Sequence, residues 1–299
     1  MSLKNQFFIL LLGVSFGLFS LPSHSQNTVL HAQVSGQGQP VVLIPGLMSD
    51  ERVWQQTEAA LAQHYEVHTL AFAGFGAHPS NPQLREAFTE NAGAALERYL
   101  QENTAGDAVV IGHSLGAFLG YQLASQQPQA LECLIAVDGV PFFSALVSGN
   151  SALTAQAVEP QAQQMLAVYQ QLTPEQMAMQ VQMGASRQTS SEENQARVVA
   201  MAKTSDPATV GRAMYELMTT DLRAEVADLN VPTLQMAATG GFSTAEQKQT
   251  ALNAYQQQIA GDNAINLLEF AESRHFIMWD QPEAFLSAVN HFIEERCHD

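Results

Sequence analysis

Short runs rich in Val, Ile and Leu recur along this chain, at 41–44, 67–72, 108–111, 133–137, 233–237 and 265–270, and stretches with helical periodicity separate most of them. Strands separated by helices cannot pair as hairpins, because each helix carries the chain back to the starting end of the sheet. The alternation therefore predicts an α/β fold with a mostly parallel central sheet and helices on both faces. Near-continuous apolar composition within the runs agrees with strands buried on both sides. The main helical stretches are 50–64, 83–101, 114–125 and 282–295, and an earlier extended pair around 29–34 predicts an antiparallel edge. Hydrophobic residues make up 46% of the 299 positions, enough for one large buried core.

One stretch breaks the alternation. Residues 141–230 contain no convincing strand, only helical patterning rich in Ala, Gln and Met, with seven of the eleven methionines. A helical insertion of this kind over a sheet edge predicts a lid, and its Leu166, Tyr169, Met177, Met183 and Met214 suggest an apolar acyl or alcohol group on a small-molecule substrate. The expected division is a leader at 1–25, a core at 26–140 and 231–299, and the lid at 141–230.

The sharpest chemical signal is Gly112-His113-Ser114-Leu115-Gly116, placed after the run Val109-Val110-Ile111 and before a helical stretch. A Gly-x-Ser-x-Gly at a strand-to-helix turn projects the serine hydroxyl above the sheet, which makes Ser114 the candidate nucleophile. The next backbone N–H, that of Leu115, sits at a helix start and can stabilise a developing oxyanion.

With these residues in place, the chain resembles the α/β-hydrolase fold family over residues 28–296. The segment Ile44-Pro45-Gly46-Leu47-Met48 matches that family's oxyanion loop, with Pro in a position that is often His. The resemblance implies Leu47 as the second oxyanion N–H donor. A serine hydroxyl needs a base oriented by a third group. Of the nine histidines, His275 is best placed, following the last strand and preceding the C-terminal helix. His24 falls in the leader, His291 and His298 in or beyond the last helix, and the side chain of His113 should point elsewhere on a tight turn.

The family most often carries the acid after the strand that follows the lid, but 238–243 holds no carboxylate before Glu246. A subset of the fold places the acid one strand earlier, where Asp138 ends the run 133–137. Asp138 is the expected acid, with Glu246 and Asp262 as the alternatives. Asp280 is expected to cap the last helix. Together these residues predict a serine hydrolase acting on a carboxylic ester, thioester or lactone. Alternatives in view are amide or carbon–carbon bond cleavage by the same residues, or a non-catalytic ligand-binding homologue of the fold. The mechanism needs no cofactor, and no Cys-x-x-Cys or His/Cys cluster signals a metal.

Twenty-nine acidic against twelve basic residues leave a net charge of −17, which argues against nucleic acid, since phosphate binding needs clustered Lys and Arg. Lys4, an apolar run at 7–21 and the small residues Ser23 and Ser25 predict an export leader cleaved near Ser25. That run falls short of the roughly 20 residues needed to span a bilayer, so no stable membrane anchor is expected. Cys133 and Cys297 are expected to be two thiols or one incidental bridge.

Overall fold

The computed structural model describes residues 28–261 and 263–297, so the leader expected at 1–25 lies outside the described residues. Seven strands form one sheet: β1 (Leu30–Gly36), β2 (Pro40–Ile44), β3 (Glu66–Phe72), β4 (Val109–His113), β5 (Cys133–Val137), β6 (Thr233–Ala238) and β7 (Ile265–Phe270). Their order across the sheet is β1-β3-β2-β4-β5-β6-β7. Every neighbouring pair is parallel except β1, which runs antiparallel to β3. The extended pair expected around 29–34 is one strand among the described residues, because the turn at 37–39 leads directly into β2 and leaves no residues for a second edge strand.

Burial follows position in the sheet. The central strands β4 and β5 are buried at every residue, whereas the edges β1 and β7 keep half-exposed positions. Alternate side chains of each strand serve opposite faces, as the pleat requires. Val42, Ile44, Leu70, Phe72 and Val110 pack with helices Phe88–Asn103 and Leu115–Gln126, while Val41, Leu43, Val67, Val109 and Ile111 pack with residues of Gln55–Leu61 and Pro282–Arg296. On this second face Cys133 in β5 is joined to Cys297, just past the last helix, by a disulfide.

Six helices fill the interval between β5 and β6: Phe143–Ser148, Ala155–Tyr169, Pro174–Gln188, Glu192–Thr204, Pro207–Thr219 and Arg223–Val226. Thr154, Thr173, Ser191 and Asp206 each accept an N–H of the first turn that follows, so four of these helix starts are written in the sequence as local caps. The insertion is bolted to the core. Glu216 accepts the N–H groups of Phe88 (3.1 Å) and Thr89 (2.7 Å), supplying the cap that Ala87 cannot provide for the core helix Phe88–Asn103. Arg85 of the core pairs with both carboxylate oxygens of Asp206. No helix among the described residues is long and apolar enough to cross a membrane.

Candidate active site

Parallel register brings the ends of β4, β5, β6 and β7 into one row, and backbone hydrogen bonds continue past the strands. Ser114 donates to the carbonyl of Val137 (2.9 Å), Asp138 to Met236 (3.0 Å) and Thr239 to Phe270 (3.1 Å). Ser114 takes φ 53° and ψ −114° between β4 and the helix Leu115–Gln126, a left-handed conformation that costs a non-glycine residue about 1–3 kcal/mol. The flanking glycines serve close approach: a Cβ on Gly112 would lie 2.3 Å from the carbonyl of Gly116, and one on Gly116 would lie 2.3 Å from that of Ile44.

Asp138 also has positive φ, 49°, which an aspartate tolerates better than most residues. Its side chain reaches over the end of β6 to the loop after β7. There Oδ2 lies 2.7 Å from Nδ1 of His275, with the carboxylate 9% and the imidazole 26% exposed. Oδ1 accepts the backbone N–H of Ala238 (2.8 Å) and the hydroxyl of Tyr255 (2.7 Å). Burial first, and then Asp138, pushes the Tyr255 phenol well above its ordinary range, so it is a proton donor. Tyr255 is absent from the sequence expectations; the available signal was a lone aromatic in the polar helix Ala245–Gln258, whose buried residues are Tyr255 and Gln258.

The structure therefore brings Asp138 to His275 and leaves Glu246 exposed in the first turn of the helix Ala245–Gln258. Asp262 lies outside the described residues. Asp280 does not cap the last helix. It accepts from the hydroxyl of Thr189 (2.6 Å), the N–H of Ser190 (3.0 Å) and the N–H of Arg274 (2.8 Å), tying the insertion to the loop that bears His275. Phe276, on the other side of His275, donates its N–H to Gln188 (3.0 Å). His113 is buried and turned toward the His275 loop, with Nε2 3.0 Å from the carbonyl of His275 and ring centroids 4.5 Å apart. Burial, and then the neighbouring His275, hold it well below the usual imidazole range, so it stays neutral at pH 7.

Ser114, His275, Asp138, Leu47 and Tyr255 share the wall of a cavity of about 610 Å³ roofed by the insertion. Leu115 is buried at the head of the helix behind Ser114. Of the five side chains expected to face a substrate, Tyr169 and Met214 line this cavity. Met177 is buried in the core, Leu166 is half-buried near Gly211, and Met183 is 80% exposed. Met179 and Met183 stand four apart on a solvent stripe, while Gly184, half-buried, and Gln180 and Arg187, both exposed, border the cavity. Phe143, Leu146, Val181 and Leu217 of the insertion add to the apolar wall, and Val147, 68% exposed, stands at its edge. A serine, an imidazole and a carboxylate arranged around one such cavity can perform nucleophilic acyl transfer.

The chain belongs to the alpha/beta hydrolase family of enzymes, whose sequence pattern matches residues 41–288. Among its relatives is the pimeloyl-[acyl-carrier protein] methyl ester esterase of Vibrio cholerae, 29% identical over 207 residues, which are 69% of this chain and 78% of that one. An esterase from Exiguobacterium antarcticum superposes with a TM-score of 0.71 at 16% identity, covering 89% of this chain and 96% of the other. The enol-lactonase from Burkholderia xenovorans superposes with a TM-score of 0.68 at 19% identity, covering 89% and 96%.

Proposed function

We propose that the protein is a serine hydrolase that cleaves a carboxylic ester of a small molecule through an acyl-enzyme on Ser114. The observation that carries this reading is the 2.7 Å contact between Asp138 and Nδ1 of His275 on the wall of the cavity that Ser114 lines. In the reaction the substrate carbonyl rests on the N–H groups of Leu47 and Leu115. Ser114 attacks as His275 takes its proton, and Asp138 holds the imidazole in the tautomer whose Nε2 is free to accept. The proton passes to the leaving alcohol, and water then releases the acid by the same steps in reverse. Thioesters and lactones present the same carbonyl chemistry.

The apolar wall contributed by the insertion selects an apolar acyl or alcohol group, and the insertion serves as a lid over residues 141–230. Likeness to methyl ester esterases favours a small alcohol. Export belongs to the same reading. It is supported by the pattern of residues 1–25, with cleavage near Ser25, and by a disulfide that suits an oxidising compartment.

The test is incubation with a fluorophosphonate followed by peptide mapping. A covalent adduct on Ser114, with matching loss of ester turnover, is expected, and Ser114→Ala should lower kcat by at least about a thousandfold. A protein that stays unlabelled while folded would be a binding module, and the reading would fall.

A further inference from the structure

We propose that Tyr255 is a positioning residue: its hydroxyl, with the N–H at the tip of β6, holds the carboxylate of Asp138 in the one orientation that serves His275. The inference rests on Asp138 being the triad acid. The end of β6 carries Ala238-Thr239 and no carboxylate. Asp138 stands directly after β5, so its side chain crosses the end of β6 before it reaches His275. Ala238 has no bulk to block that path, and its N–H meets Oδ1 at 2.8 Å.

One N–H would leave the carboxylate free to swing. Rotation about the Cβ–Cγ bond exchanges the two oxygens, and a buried carboxylate oxygen without donors is costly to keep. Tyr255 supplies the second fixed point, 2.7 Å from the same Oδ1, and so commits Oδ2 to His275. The phenol is 5% exposed and rides on a helix whose other buried residue, Gln258, accepts the N–H of Phe142 (3.0 Å) at the start of the insertion. The helix is thus docked by two polar contacts that differ in what they touch. Gln258 secures the insertion, and Tyr255 secures the acid.

The experiment compares steady-state kinetics of Tyr255→Phe, Asp138→Ala and the double variant, each checked by circular dichroism for a native melt. Tyr255→Phe keeps the ring and removes the donor. It should lower kcat by about tenfold, the scale of one hydrogen bond to a charged group, and leave KM within about twofold. In the Asp138→Ala background the same change should cost nothing further, because the group it acts through is gone. Wild-type kcat for Tyr255→Phe would overturn the proposal, as would an equal loss in the Asp138→Ala background. Should Tyr255→Phe melt early, 4-aminophenylalanine in place of Tyr255 carries the test: it keeps a donor and should retain activity, and a protein folded but as slow as Asp138→Ala would count against it. Full activity of Asp138→Ala would instead remove the acid assignment itself, a distinct failure from that of Tyr255.

Discussion

Four non-glycine residues among the described residues have positive φ, and three of them, Met48, Ser114 and Asp138, line the cavity. Such conformations persist only where surrounding contacts over-determine them, and for Ser114 and Asp138 the row of strand-end hydrogen bonds does so. Gly139 shows how little room remains. A Cβ there would lie 2.3 Å from the carbonyl of Ser114 and 2.6 Å from Cβ of Ala117, so the helix behind the serine would have to move. Gly139→Ala is therefore expected to lower kcat by at least about a hundredfold, since a displacement of about 1 Å at a reacting group costs that much. Ester turnover of the folded variant within a few-fold of wild type would contradict this account of the strand-to-helix turn at Ser114.

At the scale of elements, the edge strand β1 is held to the loop after β3 by a small titrating cluster. His31 of β1 stacks on His78 with ring centroids 4.3 Å apart, and His78 lies 2.7 Å from Glu51. The hydrogen bond that His78 donates to Glu51 raises His78 above its ordinary range, and the same bond lowers Glu51. A raised histidine contributes stability that is full below its unfolded value of 6.5 and lost as pH rises through the folded value, while a lowered glutamate contributes stability lost as pH falls through its own. The pair thus acts between mildly acidic pH and neutrality. His31, lowered by burial and then by His78, opposes part of this below 6.5. Glu51→Gln should melt below wild type from about pH 5 to pH 6.5 and converge with it near pH 8.5. A difference in melting temperature that stays constant across this range would rule out the pair as its source. The same scale explains what the sequence concealed about the insertion. Its caps are local and legible, but the rotation of each helix about its axis is set by packing, which is why Met183 faces solvent and Val181 the cavity.

For the molecule as a whole, the Cys133–Cys297 disulfide joins the middle of the sheet to the C-terminal helix across 164 positions. Closing so long a loop restricts the unfolded chain and stabilises the fold by roughly 3–5 kcal/mol. Reduction, or the pair Cys133→Ala and Cys297→Ala, should lower the calorimetric Tm by about 10 °C, at 2–4 °C per kcal/mol for a domain of this size. An unchanged Tm on reduction would show that the bridge adds nothing. The mostly parallel sheet, the strand-to-helix turn at Ser114 and the position of His275 after the last strand were legible in the chain, whereas the order of the strands across the sheet was not. The legible features depend on periodicity and on residues adjacent in sequence, and those signals are local. Asp138 was the acid expected from the chain, with Glu246 and Asp262 as alternatives, but its contact with His275, the place of Tyr255 beside it and the choice of insertion side chains that face the cavity were decided only by the tertiary structure. Asp138, Ala238, Tyr255 and His275 become neighbours because β5, β6 and β7 lie side by side in register, and no spacing along the chain encodes that adjacency.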